Sequence, residues 1–102
     1  MEALEQLVEF IENNFTIDIQ SRYGENVLNQ PMVKLGILQI GYSIVDNQNG
    51  KFEVGVMGED TLLTFPDITA DEVIAVITTY SNKQLLNIMN DRNAIKHSMF
   101  LS

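Results

Sequence analysis

The sequence predicts an α+β fold: an N-terminal helix, a three-stranded antiparallel meander with a fourth, edge strand, and two C-terminal helices packed on one sheet face. Three observations lead there. An apolar stripe at helical spacing opens the chain. Two alternating apolar runs flank a glycine-containing turn. Helix-start signals then follow the last strand.

The stripe is Leu4, Leu7, Val8, Ile11 and Phe15, and it predicts an amphipathic helix over about residues 2–14. Glu2, Glu5, Glu9 and Glu12 form a second stripe, with no Lys or Arg on the same helix. Residues 16–20 alternate Ile17 and Ile19 against Asp18, which reads as the short edge strand. Residues 21–31 read as loop, broken by Gly24 and Pro31.

The strongest local signal is a hairpin. The runs from Leu38 to Val45 and from Lys51 to Met57 flank Asp46-Asn47-Gln48-Asn49-Gly50. A three-residue loop with Gly50 in the left-handed region pairs Asn47 with Lys51, Ile44 with Val54 and Tyr42 with Val56. Ile40, Tyr42, Ile44, Phe52, Val54 and Val56 then share one face, so turn chemistry and hydrophobic register agree. A tight turn at Gly58-Glu59 would pair Val54 with Leu63 and Phe52 with Phe65. Gly36, Gly41 and Gly55, inside strand-like runs, mark a bulge or a closely packed helix.

Residues 58–72, GEDTLLTFPDITADE, hold five carboxylates. Thr69-Ala70-Asp71-Glu72 is a capping box, with Ile68 and Val73 placed as a hydrophobic staple. Pro66 ends the strand, Asp67 belongs to the turn, and Glu59 and Asp60 occupy a hairpin tip. These acids read as punctuation rather than as a site. Ser81-Asn82-Lys83-Gln84 has the same form, so helices are expected over about 70–80 and 82–91, with one long kinked helix as the alternative. Residues 94–102 read as a tail that either docks Ile95, Met99, Phe100 and Leu101 or stays mobile.

At 102 residues the chain is expected to form a single domain, residues 1–102, with a core of its own. It has no cysteine, which removes disulfides and thiolate chemistry. The acidic start, MEALEQLVEF, is unlike a secretory signal, and no apolar run spans a bilayer, so the expected compartment is the cytoplasm. The net charge of −8 is concentrated in residues 1–25 and 58–72. It repels nucleic acid and anionic membrane and steers the chain toward basic surfaces.

Catalytic constellations find little support. His97 is the only histidine, and nothing in the spacing builds a triad around it. Asp46 to Glu53 lacks calcium-loop spacing, because the glycine arrives at the fifth position rather than the sixth. Residues 36–41, GILQIG, have phosphate-loop glycine spacing, but Tyr42 and Ser43 follow where Lys and Ser or Thr are needed. Paired acids for glycoside chemistry have no supporting motif. No enzyme activity, cofactor or metal is expected.

In size, charge and element order, though in no motif, the chain is similar to secretion chaperones and to phage or mobile-element inhibitor proteins. Two functional expectations follow. One is an acidic interaction module, of inhibitor or immunity type, docking a basic protein surface through Glu2, Glu5, Glu9, Glu12, Glu59 and Asp60. The other is a homo-oligomeric structural or chaperone-like protein, such as a homodimer. It would associate through Leu35 and Ile37, which alternate out of phase with the Ile40, Tyr42 and Ile44 face unless Gly36 is bulged.

Overall fold

The computed structural model describes the backbone of residues 2–101 and the side chains of residues 3–90. Helix α1 (Glu2–Asn14) buries Leu4, Leu7, Val8 and Ile11. Asn14 ends it by donating its side-chain amide to the Phe10 carbonyl at 2.7 Å. Five strands follow: β1 (Gln20–Glu25), β2 (Pro31–Ile37), β3 (Ile40–Asp46), β4 (Phe52–Met57) and β5 (Leu62–Ile68). They form one antiparallel sheet in chain order, with β3 in the middle. Helix α2 (Ala70–Leu101) completes the chain. Both helices cover the same sheet face, where Val33, Leu35, Ile37, Ile40, Tyr42, Ile44, Phe52, Val54 and Val56 meet Val73 and Ile77 of α2.

The β3–β4 hairpin has the expected register, with Ile44 opposite Val54 and Tyr42 opposite Val56. Gly50 takes φ +83° and Gln48 takes φ +63°. Only the glycine makes such a turn without steric cost. The rest of the expected architecture needs correction: the sheet has five strands rather than three or four, and one C-terminal helix replaces two.

The two added strands were hidden by weak turn signals. Leu38 and Gln39 alone connect β2 to β3, and Leu38 carries φ +59°. No Gly, Asn or Asp marks that turn, so two strands read as one run with broken alternation. Ile37 in fact faces Ile40, Leu35 faces Tyr42 and Val33 faces Ile44. Leu35 and Ile37 are each only 1% exposed, as core residues, and offer no surface for self-association. The edge strand begins at Gln20 rather than Thr16 and pairs with β2. Pro31 opens β2, a position where the missing N–H does no harm.

At the β4–β5 connection the loop is two residues longer than expected, and the Gly58 N–H donates to the Thr61 carbonyl at 2.9 Å. Val54 therefore faces Phe65, and Val56 faces Leu63. A shift of two preserves which face each side chain takes, so hydrophobic pattern cannot detect it.

The capping box at Thr69 forms in both directions. The Thr69 N–H donates to Glu72 Oε1 at 3.0 Å, and the Glu72 N–H donates to Thr69 Oγ1 at 3.3 Å. The bond from the Thr69 N–H, with one from the Thr69 hydroxyl to the same oxygen at 3.0 Å, holds the Glu72 carboxyl below the usual range. The second box does not form, and α2 runs through it. Ser81 is buried, and its hydroxyl lies 2.7 Å from the Tyr42 hydroxyl, which also donates to the Ile77 carbonyl at 3.2 Å. A tertiary partner on β3 takes the hydroxyl that a cap would have used. The backbone of residues 94–101 continues α2; whether its side chains dock lies outside the described residues.

Candidate binding surfaces

The acidic residues do not gather into one patch. α1 crosses β2 and β3 on the covered face, with Glu5 and Glu9 exposed and Glu12 half-buried. Tyr23 of edge strand β1 lies beside them. Partial burial, then the carboxylates of Glu12, Glu5 and Glu9, raise its hydroxyl above the ordinary phenol range. The Glu2 and His97 side chains lie outside the described residues.

Glu59 and Asp60 sit at the β4–β5 turn, at the other edge of the sheet. They line a hollow of about 510 Å³ together with Lys83, Gln84 and Asn87 of α2. A base therefore shares the hollow with these two acids, whereas α1 has none. Among the described residues the one ion pair within 4.0 Å is Lys51 with Asp67, at 3.8 Å.

Asp67 has a structural task. It accepts from Asn47 at 3.1 Å and from Asn49 at 3.3 Å, tying the β3–β4 loop to the end of β5. Those two bonds, with help from Lys51, hold its carboxyl below the usual range. Among the described residues no three His, Asp or Glu side chains converge as a metal-ligand cluster. No helix among them is long and apolar enough to cross a membrane.

The surface that sequence reasoning missed is the sheet face without helices. Three cross-strand rows run over it. One is Gln20, Gly36, Gly41, Met57 and Leu62; the next is Arg22, Lys34, Ser43, Gly55 and Thr64; the third is Gly24, Met32, Val45 and Glu53, where Val45 is buried. The first two floor an open groove of about 520 Å³. Neither a packed helix nor a bulge accounts for these glycines, since the one register shift lies between Phe52 and Val54. A Cβ on Gly36, Gly41 or Gly55 would meet its nearest neighbour at 3.9, 3.8 or 3.7 Å, which is ordinary contact, and none of the three has positive φ. The signal was available as three glycines inside strands, but their shared face needed the register of β2.

Comparison with known proteins finds no matching family model, no matching curated protein and no matching solved structure.

Proposed function

We propose that the protein is a cytoplasmic interaction module, acting in the manner of an inhibitor, that docks a basic partner surface through α1 and the adjoining edge of β1. The observation that carries this reading is the exposed run of Glu5 and Glu9, continued by Glu12. It lies beside the aromatic Tyr23 and has no cation within ion-pairing distance among the described residues. Like charges at this spacing cost the isolated helix a few tenths of a kcal/mol. An opposing cationic surface would turn that cost into attraction and speed encounter. Tyr23 supplies the amphipathic contact typical of binding centres. The Glu59 and Asp60 turn, facing Lys83, is a weaker second contact.

The test is affinity capture with the wild-type chain and with Glu5→Lys/Glu9→Lys as bait, at low and high salt. A basic partner held at low salt, shed at high salt and lost by the variant supports the reading. For the purified pair, the double variant should weaken affinity at least about tenfold, or about 1.4 kcal/mol. Binding indifferent to salt and to charge reversal overturns it.

A further inference from the structure

The helix-free face of the sheet carries a pattern of knobs and hollows that is complementary to itself. β3 is the central strand, so a two-fold axis parallel to it exchanges β1 with β5 and β2 with β4. In the first row, Gly36 on β2 is a hollow and Met57 on β4 is a knob; in the second, Lys34 on β2 is the knob and Gly55 on β4 the hollow. The two-fold sets each Met57 over the other copy's Gly36, and each Lys34 over the other copy's Gly55. At the rims Leu62 meets Gln20 and Arg22 meets Thr64. Gly41 and Ser43, on β3, meet their own copies near the axis, where small residues permit close approach. We propose that the protein is a homodimer whose subunits stack these faces back to back, helices outward.

Three features support a second copy as the occupant. The first is charge. Arg22 and Lys34 are direct cross-strand partners, an unfavourable placement of like charges, and neither is in an ion pair among the described residues. Glu53 lies two residues from Gly55 on β4, about 7 Å along the strand, with its side chain on the same face. A lysine stem laid over Gly55 brings its ammonium to the Glu53 carboxylate of the other copy, and the symmetry supplies this pair twice.

The second is exposure. Met57 is 65% exposed and Leu62 77%, large apolar side chains that burial in a stacked pair would stabilise. The third is the glycines, which neither backbone strain nor internal packing requires. Glycine inside a strand weakens it, so bareness at these places serves something outside the subunit. The groove is an open face rather than an enclosed cleft, which suits a broad protein surface better than a small molecule. Aligned sheets pack about 10 Å apart, and tilting the two-fold axis by about 15° from β3 gives their usual rotation of about 30° while displacing contacts near β3 least.

The test is the mass of the full chain by sedimentation equilibrium across about 1–100 μM, a range that covers weak standard interfaces. Wild type should reach twice the chain mass. Gly36→Val and Gly55→Val put strand-favouring side chains into the hollows. Each should give a monomer with unchanged far-ultraviolet circular dichroism. Lys34→Glu should weaken the dimer at least about tenfold, and Lys34→Glu/Glu53→Lys should restore it. A wild-type monomer throughout overturns the proposal. So does a dimer indifferent to both glycine variants, or a Lys34→Glu loss that the charge swap fails to recover. Because none of these positions lies on α1, the result is independent of the acidic-face reading.

Discussion

The two faces of one sheet follow opposite rules. On the covered face, β2, β3 and β4 present Val, Leu, Ile, Tyr and Phe without a gap, and two helices seal them. On the other face the same strands interleave Gly36, Gly41, Ser43 and Gly55 with Met32, Lys34, Val45, Glu53 and Met57. Alternation forces neighbouring residues of a strand to opposite sides, so both patterns are interleaved in one stretch of sequence. The covered face satisfies itself within the subunit. The bare face holds back side chains that would strengthen its own strands, and that difference separates residues serving the fold from residues serving contact.

The largest effect should come from the covered face. Ile44 is fully buried at the centre of β3, and Ile44→Ala should cost about 2–5 kcal/mol, read from the denaturant midpoint. A loss below about 1 kcal/mol would mean that this face is loosely packed, and the contrast between the faces would collapse.

The same substitution on each face sharpens the comparison. Ser81→Ala removes a buried hydroxyl that is hydrogen-bonded to the Tyr42 hydroxyl, and it should cost about 0.5–1.5 kcal/mol. Ser43→Ala, on the bare face, should leave subunit stability within about 0.5 kcal/mol. Tyr42 adds a pH signature. Burial pushes its hydroxyl above the ordinary value, more than the Ser81 bond lowers it. The stability it contributes is present below the ordinary tyrosine pKa of about 10 and is lost as pH rises through the folded-state value. Tyr42→Phe should flatten that alkaline decline in unfolding free energy measured from about pH 8 to pH 11.

How much of this was legible in the sequence depends on which turns announce themselves. Asp46 to Gly50 places a glycine at one of its two left-handed positions, so the β3–β4 register could be read directly. Leu38-Gln39 contains none, and with it went β2, the edge pairing of β1 and the identity of the bare face. Thr69-Glu72 was legible because its bonds are local. Ser81-Gln84 has the same local form, but Tyr42 lies 39 positions away in sequence and claims the hydroxyl. The acid stripe of α1 could be named, since it is set by helix geometry alone, and its Glu5 and Glu9 are exposed. That Tyr23 joins them depends on strand pairing, which the sequence did not display.

The Thr69 cap fixes where α2 starts above the covered face. Thr69→Ala should cost about 1 kcal/mol, read as a lowered thermal midpoint, while the β3–β4 hairpin keeps its register. Loss of the whole fold from this one change would mean that α2 docking, rather than sheet pairing, holds the covered face together.

The smallest expected effect lies at the end of the sheet, where the β3–β4 loop crosses to the end of β5 and neither face's rule applies. Asp67 is exposed there, yet bonds from Asn47 and Asn49 favour its ionised form. Its folded-state pKa lies below the unfolded one, so its contribution is present above the unfolded value and is lost as pH falls through the folded value. Acidification from about pH 6 to pH 3 should therefore lower stability in wild type, with a shallower slope in Asp67→Asn. Glu72 at the α2 cap titrates in the same direction and remains in that variant, so the slope should shrink rather than vanish. An unchanged slope would show that the loop is held by the backbone bond from Asn47 to Lys51, at 3.1 Å, and that the Asp67 carboxylate is incidental to it.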